Sequence, residues 1–434
     1  MEIRRDFYLD KLTKRKNNGL IKVITGIRRC GKSYLLNNIF YNHLLESGVE
    51  ADHIIRFAFD SAEDLYSIGE NLISMEKGKR RADPEKFITY IRSKVTDDKM
   101  YYLLLDEVQE MDCFEAVLNG YLCNGNMDVY VTGSNAKFLS KDIATEFAGR
   151  GDEVHLYPLS FAEFMSVYEG DKYEGLSEYM LYGGIPPVVL KEGSGDKSAV
   201  LRNLFDEIYI SDICRRNRIR NTGELEDLLN ILSSAIGSLT NPEKLKNTFK
   251  SVKKSNITSK TIKKYLDCFE DSFLIQPAQR YDIKGRSYIE TPKKYYFTDL
   301  GLRNVRINFR QFEQTHSMEN VIYNELCMRG YNVDVGVVTV SEKNAEGISR
   351  RKQLEVDFVC NMDSDRIYIQ SAYSMPDEEK RAQEVQSFRK IDDSFRKIIV
   401  TKDIVIPYYD DYGILTVSIY DFLLDPQILG KQRR

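Results

Sequence analysis

The chain has 434 residues, 42% hydrophobic and 29% charged, with a net charge of −4. That composition suits two or three packed domains and excludes a uniformly basic nucleic-acid coat. It has no apolar run of about 18 residues for a membrane span and no apolar signal core at its start. Its cysteines (Cys30, Cys113, Cys123, Cys214, Cys268, Cys327, Cys360) form no C-x-x-C pair, so a disulfide framework and a cysteine zinc site are excluded and a cytoplasmic protein is expected.

The first strand is expected over 21–25. It runs into Gly26-Ile27-Arg28-Arg29-Cys30-Gly31-Lys32-Ser33, and a helical pattern follows from Tyr34. Strand, G-x-x-x-x-G-K-S and helix together make a phosphate-binding loop. Gly26 and Gly31 let backbone N–H groups face phosphate oxygens, and the helix start adds its positive dipole end. Lys32 supplies a charge for the β and γ phosphates, and the Ser33 hydroxyl can ligate Mg²⁺. The candidate ATP-binding segment is therefore Gly26, Ile27, Arg28, Arg29, Cys30, Gly31, Lys32, Ser33 and Tyr34. Cys30 is read as a packing residue.

A second strand is expected over 53–59. The polar stretch 60–98 reads as loop, with a helix over 84–95. The apolar run Met100-Tyr101-Tyr102-Leu103-Leu104-Leu105 then predicts a strand buried on both faces. It ends in Asp106-Glu107. Asp106 is the candidate magnesium carboxylate, and Glu107 the general base for the attacking water. Another strand, 128–132, leads into Gly133-Ser134-Asn135. In P-loop ATPases with an additional catalytic glutamate, such a strand lies between the loop strand and the Asp–Glu strand, which makes Ser134 or Asn135 a γ-phosphate sensor. With a strand over 153–157, the expected fold is α/β, a doubly wound parallel P-loop sheet.

Residues 158–215 read as helical, broken by Gly183-Gly184-Ile185-Pro186-Pro187. Residues 220–300 look like a winged helix: helices over 224–238, 242–252 and 259–271, and a wing pairing 273–275 with 294–297. Eight lysines against one acid lie between 241 and 264. Lys260, Lys263 and Lys264 on the third helix are candidate contacts to the phosphates of double-stranded DNA. Beyond 300 the pattern is again α/β: a helix over 318–329, a strand over 331–337, a hairpin of 354–359 with 366–370, a helix over 380–389 and a strand over 397–401.

In chain order, GIRRCGKS at 26–33, LLLDEVQ at 103–109, VTGSN at 131–135, AGR at 148–150, YPLSF at 157–161, GGIPP at 183–187, YFTDLGLRN at 296–304 and LEVDFV at 354–359 resemble one group. These are prokaryotic AAA+-type ATPases related to the archaeal ATPases and regulatory STAND proteins, with a C-terminal domain of unknown function. The resemblance implies that Arg150 completes an ATP site, in cis or on a neighbouring subunit of a homo-oligomer. The C-terminal part resembles the restriction-endonuclease fold. There Glu319, Asp357 and Gln370 occupy the metal-site positions, but the lysine position holds Ala372. Lys352 is the substitute considered, and a degenerate, non-cleaving fold is expected.

The segments expected are an ATPase domain at 1–165, a helical lid or linker at 166–218, a winged helix at 219–300 and a nuclease-like domain at 301–434. The function expected is Mg²⁺-dependent ATP hydrolysis coupled to the winged-helix and nuclease-like module, with DNA as a candidate partner and no membrane association. Two alternatives stand beside it: a slow ATP-bound switch or scaffold recruiting a protein partner, and a metal-dependent nuclease.

Overall fold

Strands that are apolar along their whole length need cover on both faces, and the first half of the chain provides it. In the computed structural model the described residues are 3–70, 81–133, 149–253, 256–310, 313–343 and 349–430. They pack as two units: Met1–Tyr157 with Asp271–Phe273, and Pro158–Glu270 with Leu274–Arg434.

The first unit is built on β1 (Ile21–Thr25), β2 (Ile54–Ala58), β3 (Tyr101–Asp106), β4 (Met127–Thr132) and β5 (Gly151–His155). All pairings are parallel, in the order β2-β3-β4-β1-β5. Every residue of β1 and β3 is buried. One face packs Val23, Phe57, Phe87, Leu103, Leu118 and Val131 into a single core, each contributing about 1.5–3 kcal/mol by burial. A lysine survives inside β1 because Lys22 pairs with Asp128 and lies 5.0 Å from the centre of the Tyr130 ring. β5 lies two residues earlier than the sequence suggested. Ile21 pairs with Gly151, and the strand is over before Pro158, which lacks an N–H to donate. This strand order puts β4 between β1 and β3, so the carboxyl ends of β1 and β3 flank the tip of β4. Ser134 and Asn135 lie outside the described residues.

The second unit centres on β6 (Ile275–Asp282), β7 (Ser287–Phe297), β8 (Asn332–Lys343), β9 (Ser349–Met362), β10 (Asp365–Ala372), β11 (Arg396–Thr401), β12 (Tyr408–Tyr409) and β13 (Leu415–Ser418). They form one eight-stranded sheet, β12-β13-β11-β10-β9-β8-β6-β7. Ile275 faces Phe297 in the β6–β7 hairpin. β6 then pairs in parallel with β8, Tyr281 opposite Gly336, so the hairpin and the C-terminal strands share one sheet. Gly336 lets side chains of β9 pack close on β8: a Cβ there would meet Val356 and Val359 at 2.8 Å.

Two of the motifs prove to be halves of one lock. Asp299 accepts hydrogen bonds from Gly184 N–H at 2.7 Å and from Leu302 N–H at 3.1 Å, capping helix Leu300–Arg306. Asn304 Nδ2 donates to Met180 and Leu181 carbonyls at 2.9 Å. A Cβ at Gly301 would lie 2.0 Å from the Tyr182 carbonyl oxygen, so only glycine fits. Burial pushes the Asp299 carboxyl up to about 6 although the Gly184 and Leu302 N–H groups pull it down. No helix among the described residues is long and apolar enough to cross a membrane.

Candidate functional site

The site starts where β1 ends. Gly26 has φ +139°, and a Cβ there would lie 2.2 Å from the Leu156 carbonyl oxygen, so the turn admits only glycine. Arg29 (φ +66°) and Gly31 (φ +102°) complete the reversal. A helical stretch begins at Lys32–Tyr34 and continues through Leu35–Phe40 and Tyr41–Glu46. Lys32 is buried, and its Nζ donates to the carbonyls of Gly26 at 3.0 Å and Ile27 at 3.1 Å. The ammonium therefore folds back onto the loop's own carbonyls. Ser33 and Tyr34 are exposed. The Cys30 thiol is fully buried and pushed up by that burial, against the pull of Lys32 and Arg5, so it is not a reactive thiolate. Arg5 was not anticipated. Its guanidinium donates to Cys30 O at 3.2 Å and Tyr157 O at 2.8 Å, bracing the loop from the N-terminal segment.

Across β4 lie the acids. Asp106 closes β3 and is buried. Thr132, the last residue of β4, donates its hydroxyl to Asp106 Oδ1 and accepts the Glu107 N–H at 3.0 Å. Glu107 has φ +49° and accepts from the Gln109 side-chain amide. One threonine thus fixes both the buried carboxylate and the backbone of the next acid. Asp60, two residues after β2, belongs to the same rim. Desolvation raises its carboxyl pKa, the Asp106 and Glu107 carboxylates raise it further, and Arg29 opposes them. Asp60, Asp106 and Glu107 thus make this rim acidic.

Residues 18–165 match the family described as an AAA domain, and residues 173–313 match one described as Domain of unknown function (DUF8612). An uncharacterized protein of Haemophilus influenzae is 32% identical over 431 residues, spanning 97% of this chain and 98% of that protein. The chain belongs to the AAA+ P-loop ATPases. An uncharacterized protein of Methanocaldococcus jannaschii is 26% identical over 92% of this chain and 85% of its own length. Among solved structures, an Aeropyrum pernix ORC1 protein in complex with DNA aligns at 11% identity over 70% of this chain and 92% of that one. Its TM-score of 0.28 is too low to speak to function.

Arg150 is misplaced for work in its own AAA+ domain. Its carbonyl accepts Ile21 N–H at 2.8 Å, which puts it at the amino ends of β1 and β5. The loop is at the carboxyl end of β1, about 13 Å away along the strand and beyond the reach of an arginine side chain. Of the two places open to Arg150, in cis or on a neighbouring subunit, this geometry leaves the cis one out of reach.

His155, at the end of β5, was overlooked because it stands alone in sequence. Its Nδ1 lies 2.7 Å from Thr25 Oγ1, which is also 2.7 Å from Glu153 Oε1. Burial, then the charges of Lys32 and Lys11, push its pKa down from 6.5 to about 3. The unfolded chain therefore takes up a proton near pH 6.5 that the folded chain refuses until about pH 3. This contribution to stability is complete above the unfolded pKa and is lost as pH falls below it. The nucleotide-free domain should be about 2 kcal/mol less stable at roughly pH 5 than at roughly pH 7.5 from this group alone. Denaturant titrations of the full chain and of His155→Gln at both pH values check this; equal slopes in the two proteins would refute it.

In the second unit, Lys260, Lys263 and Lys264 are exposed on helix Ser259–Asp271, whose Ile262, Tyr265, Leu266 and Phe269 are buried. The three nuclease-like positions also converge. Glu319 lies on helix Gln314–Met328, Asp357 on β9 and Gln370 on β10. Asp357 Oδ2 accepts Ser371 N–H at 2.8 Å, and Gln370 Oε1 lies 3.4 Å from the Asp357 N–H. Ala372 is buried and brings no charge. Lys352 is exposed and, by alternation along β9, faces away from Glu355 and Asp357, which corrects the idea that it replaces the missing lysine. The cation there is one the sequence did not single out, Lys294 of β7. Its Nζ lies 2.8 Å from Glu319 Oε1 and 2.7 Å from Glu355 Oε1. Tyr296 OH donates to the same Glu319 oxygen at 2.6 Å. Burial opposes the Lys294 charge, but Glu319, Asp357 and Glu355 outweigh it and its pKa is raised. The Asp357 carboxyl is pushed above the carboxylate range, by burial first and by Glu319 next.

Proposed function

We propose that the chain is a Mg²⁺-dependent ATP hydrolase whose nucleotide state governs the action of its second unit on double-stranded DNA. The observation that carries the hydrolytic reading is the Thr132 bridge, which holds Asp106 and Glu107 at the strand tip beside β4 and the phosphate loop. On this reading the loop N–H groups and Lys32 bind and orient the triphosphate. Its ammonium exchanges the carbonyls of Gly26 and Ile27 for phosphate oxygens. Magnesium, when bound, would offset phosphate charge, with Ser33 and Asp106 as its protein-side groups. Glu107 takes the proton of the attacking water, its backbone held in place by Thr132. Ser134 or Asn135 would sense the γ-phosphate, and Arg150 would act on a neighbouring subunit. On this reading the divisions 1–165, 166–218, 219–300 and 301–434 serve as ATPase, lid, winged helix and nuclease-like core, the last two sharing one sheet through β6 and β7 and the boundary between the first two falling nearer residue 157.

An ATPase assay with and without duplex DNA tests the reading. Turnover stimulated by DNA supports it. Stoichiometric, long-lived ATP with no DNA response favours the switch that recruits a protein partner.

The DNA arm rests on the exposed lysines. Reversing Lys260, Lys263 and Lys264 to glutamate should weaken duplex binding and lower the slope of log K against log salt by about three, near one per lost phosphate contact. Titration of wild type and variant at several salt concentrations gives that slope; an unaltered slope would move the contact off this helix.

A further inference from the structure

A divalent cation in the nuclease-like centre would need Glu319 and Asp357 ionised and free to turn toward it. The residues do not fit that ion. One oxygen of Glu319 already accepts from both the Lys294 ammonium and the Tyr296 hydroxyl. Its other oxygen faces Gly237, where even a Cβ would come within 3.3 Å. The Lys294 side chain is only 5% exposed and the Glu319 side chain 8%. Glu355, the third acid, is spent on the same ammonium at 2.7 Å. One Asp357 oxygen is taken by the Ser371 N–H. A positive charge is thus already delivered to the centre of the acids, from a strand other than the one that carries it in the nuclease pattern.

We propose that Lys294 is the resident cation of this centre. It pairs with both Glu319 and Glu355 in the place of a metal ion, and it makes the core metal-free and non-cleaving. The amine is covalently attached through β7, so it cannot exchange with solution ions or activate a metal-bound water. β7 and helix Gln314–Met328 are joined through this contact, which makes the acidic centre a structural clasp. The inference is independent of nucleotide chemistry in the first unit.

The test is Mn²⁺ binding to the nucleotide-free full chain, followed by the electron paramagnetic resonance of the free ion. Wild type and Asp357→Asn should bind Mn²⁺ identically, any weak binding in the first unit being common to both. Lys294→Met should gain one site, at least about tenfold tighter than the weak binding common to wild type and Asp357→Asn. That site should vanish in the Lys294→Met, Asp357→Asn double variant. Mn²⁺ should also raise the unfolding temperature of Lys294→Met and leave that of wild type unmoved. An Asp357-dependent site in wild type would overturn the proposal. So would a folded Lys294→Met protein that acquires none. If that variant does not fold, the wild-type and Asp357→Asn comparison decides alone.

Discussion

Lys32→Ala is expected to weaken ATP binding by about two to three orders of magnitude, the scale of losing a charge-assisted contact to phosphate in a sheltered site. The substitution leaves the backbone cradle intact, because Gly26, Arg29 and Gly31 set the turn by their own dihedral angles. Alanine is a strong helix former, so the helix that starts at this position should persist. What it removes is the ammonium, together with its bonds to the Gly26 and Ile27 carbonyls. Those carbonyls then turn to water at the loop mouth. Equilibrium titration with a fluorescent ATP analogue measures the loss. Thermal unfolding of the nucleotide-free variant separates it from misfolding. Binding within threefold of wild type by a folded Lys32→Ala protein would mean that the loop does not use this lysine for phosphate.

Glu107→Gln is expected to bind ATP with little change and to hydrolyse it about a hundred to ten thousand times more slowly, the usual worth of a positioned general base. Glutamine has the same shape, and the Thr132 hydroxyl still receives the position-107 N–H. The Gln109 amide that now donates to the carboxylate can donate to the new carbonyl oxygen instead. Only the proton acceptor is lost. Single-turnover hydrolysis alongside binding distinguishes the two effects. Wild-type turnover by Glu107→Gln would remove Glu107 from the base role and turn attention to Asp60, the other carboxylate at that rim.

Both predictions concern residues whose significance is local in the chain. Glycine at 26 and 31 is what a backbone with φ of +139° and +102° requires, and that need is written in the residue type itself. An apolar run ending in two acids announces its strand and its tip in the same way. The second unit was harder to read. Its β9–β10 hairpin was visible as alternating runs around a short polar turn, and it forms as expected, Met362 opposite Asp365. Helix Gln314–Met328 began four residues before its predicted start, with Glu313 at its N-cap. The parallel pairing of β6 with β8 had no signal, since nothing local tells a hairpin which third strand it will meet.

The residues that sequence reading missed share one property. Arg5 braces Cys30 from 25 positions away, Thr132 reaches Asp106 from 26, and Lys294 meets Glu319 from 25. Each is an ordinary side chain until strand order and register bring it to its partner. Lys293 and Lys294 are adjacent and chemically identical, yet only Lys294 is buried against the acids, because alternation along β7 turns its neighbour the other way. The sequence by itself determined the phosphate loop, the acidic strand tip and the AAA+ membership, since each rests on backbone conformations and residue types a few positions apart. Only the tertiary structure decided that Arg150 stands at the wrong end of its own sheet and that a lysine fills the acidic centre of the second unit. Those outcomes depend on which strand ends are neighbours, a property of the packed sheets rather than of any segment within them.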